Sequence, residues 1–428
     1  MPGSKPAPWF IASNPVQQTS STAAVTAPAK ALPLPQWELV LMVAALMSLN
    51  ALAIDIMLPA LSEISQHYDL ARDNDQQLVI FAYIAGFGAP QLVFGPVSDR
   101  FGRKGLLSLC LVSYAIAGLA CIATNSFTTL LIARFVQGIF ASGVRVIAVS
   151  IVRDLLAGRA MARIMSLVMT VFMIVPILAP TIGAGVMLFA PWQWTFGVLS
   201  IAAVINLFWI QLRLPETLPA ADRQPLNPRQ TGRAYWQVIT TRMTVGYMCA
   251  SGVIFGALFA FVAASEQIFT DVFQQHQTFA LWFAGVAGAL AAANFLNSRI
   301  VERFGMRRIS HAVLILFIAL SLLNVVTLNL VGERLWLFYP LFCLTFGCFG
   351  MLGANFTALA MEPQGKIAGT ASAAYGFSST TVSSFIGYLV AGQFDGTVAP
   401  FMWGFVMLGV SSLTIILITE RGRLFQTR

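Results

Sequence analysis

Asp55, Arg134 and Arg145 each interrupt an apolar stretch of the chain long enough to cross a membrane. An acid or base at that depth costs roughly 2.5–3.5 kcal/mol on insertion scales, so it is seldom kept without a task. The task open to a lone buried carboxyl is proton exchange. Kept from water it holds its proton; reached by water or a guanidinium it gives the proton up. Asp55 and Arg134 each lie about six residues from the same side of their stretches, which run in opposite directions, so both sit roughly 9 Å inside one boundary. They form the expected proton-coupling pair, unless they are a permanent structural ion pair. Arg145 follows Arg134 by eleven residues, so Arg134, Gln137, Gly138, Ala141 and Arg145 share one helical face. Lipid exposure of that face would be costly, and it is expected to line an aqueous cavity. Arg145 has the alternative of snorkelling to the nearer boundary.

The surrounding composition fits such a setting. The 428 residues are 57% hydrophobic and 10% charged, with mean hydropathy +0.77. Soluble domains carry about 25% charge, so a water-soluble protein is excluded. The net charge of +8 is scattered over short polar segments instead of forming a patch, so nucleic acid is not an expected partner. Five cysteines and three histidines show no CxxC or Cys/His cluster, and neither a disulfide framework nor a metal site is expected. No clustered nucleophile or general acid/base pair occurs in the apolar stretches, which argues against an enzyme. Residues 1–36, rich in Pro, Ala, Ser and Thr, lack the apolar core of a secretory signal and read as a disordered cytoplasmic tail.

Apolar runs place candidate spans at 38–60, 77–98, 105–123, 128–150, 164–188 and 195–213, then at 241–263, 279–298, 309–330, 335–360, 367–391 and 399–419. Each can cross a hydrocarbon layer of about 30 Å. The fold class is therefore an all-α polytopic membrane protein of twelve spans in two six-helix bundles, 37–213 and 241–419. A Pro-rich cytoplasmic linker, 214–240, joins them, and 420–428 is a short tail. Assigning the tails, the linker and alternate loops to one side gives that side 21 of the 25 Lys and Arg. The opposite loops carry Glu63, Asp69, Asp73, Asp75, Glu266, Asp271, Glu333 and Asp395. Basic loops stay cytoplasmic, so both termini are expected inside. The segment Asp99-Arg100-Phe101-Gly102-Arg103-Lys104 recurs as Glu302-Arg303-Phe304-Gly305-Met306-Arg307, 203 residues on and at the same place in the second half. Internal repeats of this kind place a substrate site between the halves, near the midplane. Shifting by 203 gives Asp55 and Arg134 only leucines as partners, Leu258 and Leu337, so coupling is expected in the first half alone.

These residues carry a family resemblance. Gly95-Pro96-Val97-Ser98-Asp99-Arg100-Phe101-Gly102-Arg103-Lys104 resembles the signature loop of the major facilitator superfamily. Arg134-Phe135-Val136-Gln137-Gly138 resembles its Arg-x-x-Gln-Gly motif. Ala179-Pro180-Thr181-Ile182-Gly183-Ala184 is similar to the Gly-Pro-x-x-Gly-Gly motif of proton antiporters, departing at Ala179 and Ala184. Asp55-Ile56-Met57-Leu58-Pro59-Ala60-Leu61, Ser150-Ile151-Val152-Arg153-Asp154 and Leu214-Pro215-Glu216-Thr217 resemble the twelve-span drug:proton antiporters of the Bcr/CflA branch. The resemblance implies a monomeric exporter of small amphipathic drugs in a bacterial inner membrane, driven by the proton gradient and needing no cofactor. The alternative keeps the fold and imports a small solute with protons. One proton crossing 100 mV contributes about 2.3 kcal/mol, and one pH unit adds about 1.4 kcal/mol. Together they sustain a gradient of roughly a few hundred-fold for a neutral substrate.

The substrate cavity is expected from Asp55, Tyr83, Gln91, Arg134, Gln137, Ala141, Arg145, Phe255, Phe259 and Tyr375. Gly95, Asp99, Arg100, Gly102, Arg103, Lys104 and Asp154 are expected to act as a conformational latch. In it Asp99 would meet the N-terminus of the eleventh span near Ile367, by resemblance, and Arg103 would pair with Asp154. Pro176 and Pro180 each remove a backbone donor, and with Gly183 they suggest a hinge in the fifth span.

Overall fold

The computed structural model describes residues 34–156, 158–223, 225 and 227–425, and the N-terminal tail up to residue 33 lies outside them. Apolar runs of this length have one structure open to them in lipid, since every backbone group must be satisfied within its own segment. They are α-helices throughout. The first half holds α1 (Gln36–Asp55), α2 (Leu61–His67), α3 (Leu78–Gly88), α4 (Gln91–Phe101), α5 (Arg103–Ile122), α6 (Phe127–Leu155), α7 (Gly158–Phe172), α8 (Val175–Met187) and α9 (Trp194–Arg213). After α10 (Pro228–Thr240), the second half holds α11 (Arg242–Gln267), α12 (Phe279–Phe304), α13 (Met306–Val331), α14 (Leu335–Met361), α15 (Ala368–Ala391) and α16 (Ala399–Thr419).

Ten helical stretches among the described residues are long and apolar enough to cross a membrane, and α3 with α4, bent by 46°, makes an eleventh. The remaining span expected from the sequence, 367–391, corresponds to α15. Its 24 residues span about 36 Å, but eight Ser and Thr between Thr370 and Ser384 hold its hydropathy down. That polarity is tolerable because α15 packs on α11, α3 and α4 within the protein.

Prolines account for the breaks. A single 3-10 turn containing Pro59 separates α1 from α2. The bend between α3 and α4 falls at Ala89-Pro90, and the interruption between α7 and α8 falls just before Pro176, which opens α8 while Pro180 lies inside it. Each proline lacks the amide needed to continue the ladder.

The repeated loops are helix-to-helix corners without a spacer. Gly102 joins α4 to α5 at φ +95°, and Gly305 joins α12 to α13 at φ +81°. Both conformations are essentially closed to residues with a Cβ, which explains why the glycine recurs in both halves. The N-terminus of α5 is capped from a distance: the Glu216 carboxylate accepts from the backbone amides of Arg103 (2.9 Å) and Lys104 (3.2 Å).

Between the halves the contacts are paired. α3 and α4 pack on α15, and α8 packs on α12, as a twofold repeat of second against eleventh pass and fifth against eighth requires. The segment expected to be only a linker contains α10. Asn227 caps it at the amide of Gln230 (3.2 Å), and Pro228 occupies its first turn, a start signal that was present in the sequence. Val238 packs on Ala371 and Ala374 of α15, and the Tyr235 hydroxyl donates to the carbonyl of Leu92 (3.0 Å), so α10 touches both halves.

Gly102→Ala and Gly305→Ala are each expected to destabilise the detergent-solubilised protein by about 1–3 kcal/mol, read as a lower melting temperature. Unchanged melting of both variants would show that the corners tolerate a side chain.

Candidate functional site

Arg134 is fully buried, and its partners are neutral. Its guanidinium donates to the carbonyls of Ala53 (2.9 Å) and Val79 (3.3 Å) and to the side-chain oxygen of Gln137 (2.6 Å). It also stacks over the rings of Tyr83 (4.4 Å) and Phe196 (5.4 Å). The Tyr83 hydroxyl in turn donates to Asn50 on α1 (3.0 Å). The planar fork thus ties α6 to α1 and α3 at the level of Asp55. Asp55 itself is 5% exposed, and no ion pair among the described residues includes it. Arg134 therefore holds the backbone two residues before Asp55 without neutralising its carboxyl. On the other side of α1, Gly183 of α8 sits so close to the carbonyl of Ile56 that an added Cβ would overlap it. The antiporter-like segment thereby presses on the turn that follows Asp55.

The face carrying the acidic loops is closed. There Ser62 donates to Glu266 (2.6 Å), Gln77 to Gln267 (2.6 Å), and Asn74 to the carbonyls of Gly392 (3.2 Å) and Phe394 (2.9 Å). All of these join the first half to the second. Glu266 corrects the sequence reading: it is not in a loop but near the end of α11, 4% exposed. One of its oxygens also takes the Thr270 hydroxyl, and Oε2 has no partner among the described residues. The run from Val262 to Gln267 contains no Gly or Pro to stop the helix, and that was the missed signal.

The opposite, basic face opens into a cavity of about 980 Å³. Of the ten residues expected around it, Gln91, Arg145 and Tyr375 line it. Asp55, Tyr83, Arg134, Gln137 and Ala141 do not; all are buried where α1, α3 and α6 pack together. Phe255 instead packs against Phe349, ring centroids 5.7 Å apart and tilted by 47°, and Phe259 packs on Gly387. Arg145 faces the cavity, its guanidinium 3.4 Å from the Gln91 oxygen, and it does not snorkel.

At the cavity mouth, Arg103 pairs with Asp154 (2.8 Å) and with Asp99 (2.6 Å), which lies 3.9 Å from Arg153. Asp99 thus binds the arginines of its own half. Arg153, beside Asp99, lies against Gly369 in the first turn of α15, and the expected contact of Asp99 itself with that helix does not occur among the described residues. Gly95, Asp99, Arg103 and Asp154 line the mouth, Gly102 is the corner, and Arg100 is exposed. Lys104 donates to the carbonyl of Gln211 (3.1 Å).

Two repeated helical halves, joined tightly at one face and parted by a cavity at the other, define a membrane transporter. A sequence profile of the Major Facilitator Superfamily matches residues 43–388, and the chain belongs to that family. It is 30% identical to a bicyclomycin resistance protein homolog of Haemophilus influenzae, over 82% of this chain and 88% of the relative. It is 28% identical to the multidrug resistance protein MdtL of Escherichia coli, over 89% and 95%. The fold is similar to that of a D-xylose-proton symporter, with a TM-score of 0.70 over 91% of this chain and 98% of that one, at 13% identity.

Arg134→Lys cannot reproduce the fork to Ala53, Val79 and Gln137. It is expected to lower the melting temperature of the solubilised protein, by the equivalent of about 1.5–3 kcal/mol. A lysine variant as stable as the parent would show that charge alone is required at this position.

Proposed function

We propose that this transporter exports small amphipathic compounds in exchange for protons across a bacterial inner membrane, with the basic face in the cytoplasm. The observation that carries the reading is the asymmetry of the two faces. The 980 Å³ cavity is open on the basic face, while Asp55 is shut away from it behind a closed acidic face. Basic loops remain in the cytoplasm, so the cavity would collect its substrate there. The resistance relatives support export of drug-like compounds.

In this cycle Asp55 holds a proton while it is enclosed, because an isolated carboxylate in a dry site is far more costly than a neutral carboxyl. Opening of the acidic face lets the carboxyl take up a proton from outside. When that face has closed, substrate and water entering from the basic-face cavity draw the proton into the cytoplasm, so a proton enters for each compound exported. Arg134 positions the α1 turn throughout. Asp99, Arg103 and Asp154 form the cytoplasmic latch, whose arginine is released from its own half as the mouth closes. The break before Pro176, with Gly183 against Ile56, is the hinge. Protons are the only coupling partner required, and a monomer suffices.

Asp55→Asn keeps the size of the side chain and removes its titration. Cells carrying this variant are expected to insert the protein normally and to lose uncoupler-sensitive efflux of a fluorescent drug. A resistance panel should fall to the level of cells without the gene. Undiminished active efflux would remove Asp55 from the mechanism, and substrate accumulation instead of efflux would favour import.

A further inference from the structure

With Asp55 enclosed, the charge that a cavity-bound compound meets is Arg145. Four arginines line the cavity (Arg103, Arg145, Arg153 and Arg233) against three aspartates (Asp99, Asp154 and Asp222). Arg103 is matched at the mouth by Asp99 and Asp154, and Asp99 also lies near Arg153. Arg145 precedes Arg153 by eight residues on α6, which puts it about 12 Å deeper. No ion pair among the described residues includes it. Its polar contact is the 3.4 Å approach to Gln91, whose own amide is divided among the carbonyls of Phe87 (3.3 Å) and Gly376 (3.5 Å) and the hydroxyl of Thr380 (3.5 Å).

We propose that the cavity selects amphipathic organic anions: a compact apolar body bearing one carboxylate-type group, held by Arg145. The proposal rests on reading the cavity as the substrate site. A guanidinium without a counter-ion presents donors that a carboxylate fills in a bidentate, charge-assisted pair. Val146, the next residue, and Val149, about one turn of α6 on, supply apolar wall. The Phe87 ring lies 5.8 Å from the guanidinium carbon. Tyr375, hydrogen-bonded to Ser251 (2.7 Å), borders the same space and offers a hydroxyl to the second oxygen or to a bridging water. A monocation of the same shape meets like charge at Arg145, which no carboxylate among the described residues pairs. The volume is suited to a drug-sized ligand, for which pockets run to about 300–1,000 Å³.

The test uses purified full-length protein in detergent and three probes with one apolar body: 4-phenylbutyrate, 4-phenylbutanamide and 4-phenylbutylamine. Dissociation constants are measured by quenching of intrinsic tryptophan fluorescence. The acid is expected to bind at least about tenfold more tightly than the amine. Arg145→Gln should abolish that preference while amide binding stays within about twofold, and Arg145→Lys should retain part of it. Melting curves of both variants establish that they are folded. An acid that binds no better than the amine, or not at all, overturns the assignment; so does a preference that survives in Arg145→Gln. No gradient is involved, so loss of the export reading would leave this result standing. An amine preference would remove the anion class and leave export intact.

Discussion

A guanidinium shut away from water must be surrounded by acceptors, and Arg134 satisfies that requirement with carbonyls, an amide oxygen and aromatic faces. The consequence reaches beyond one residue. Because the nearest acid is not used as a counter-ion, the α1 turn is fixed while the Asp55 carboxyl is left without a cation. A salt bridge would have stabilised one ionisation state through the whole cycle. A carboxyl held by geometry alone remains responsive to water. The buried arginine and the proposed proton site are therefore two parts of one device, with Tyr83 and Gln137 keeping the arginine from drifting toward the acid.

The same economy of charge separates the two ends of the molecule. The acidic face is joined by neutral or singly charged hydrogen bonds, Ser62 to Glu266 and Gln77 to Gln267, which can be exchanged for water at small net cost. The basic face is organised by ion pairs within the first half, with Arg103 between Asp99 and Asp154. Such pairs stiffen the corner at Gly102, and the Arg153 guanidinium beside them lies against Gly369 at the start of α15. Glu216, reaching from the end of the first half, caps α5 at this corner. α10 then spans the gap, touching α4 through Tyr235 and α15 through Val238.

Much of this was legible in the sequence, because lipid makes its demands in one dimension. Interrupted apolar runs located Asp55, Arg134 and Arg145, and the repeat located both glycine corners. The pairing of Arg103 with Asp154 followed from family resemblance. What could not be read was rotation and state. Hydropathy does not say which side of α6 faces the open space, so Gln137 and Ala141 were grouped with Arg145 although they lie in the packed region above it. Phe255 and Phe259 were likewise indistinguishable from packing aromatics. Glu266 was misplaced because its helix outlasts its hydrophobic run, and α10 was missed because its surroundings are rich in proline. The serines and threonines of α15 are the instructive case. They lower the hydropathy of a helix that is long enough to cross, and several of them face the cavity or the neighbouring helices.

The central claim is that the Asp55 carboxyl is protonated while the acidic face is closed and exchanges its proton when that face opens. Infrared difference spectroscopy of the protein in lipid measures this directly. The account requires a protonated-carboxyl band that is absent from Asp55→Asn and bleaches when α4 and α15 are cross-linked shut at the basic face, forcing the acidic face open. A band that is indifferent to that cross-link, or is still present in Asp55→Asn with no other change, would contradict it.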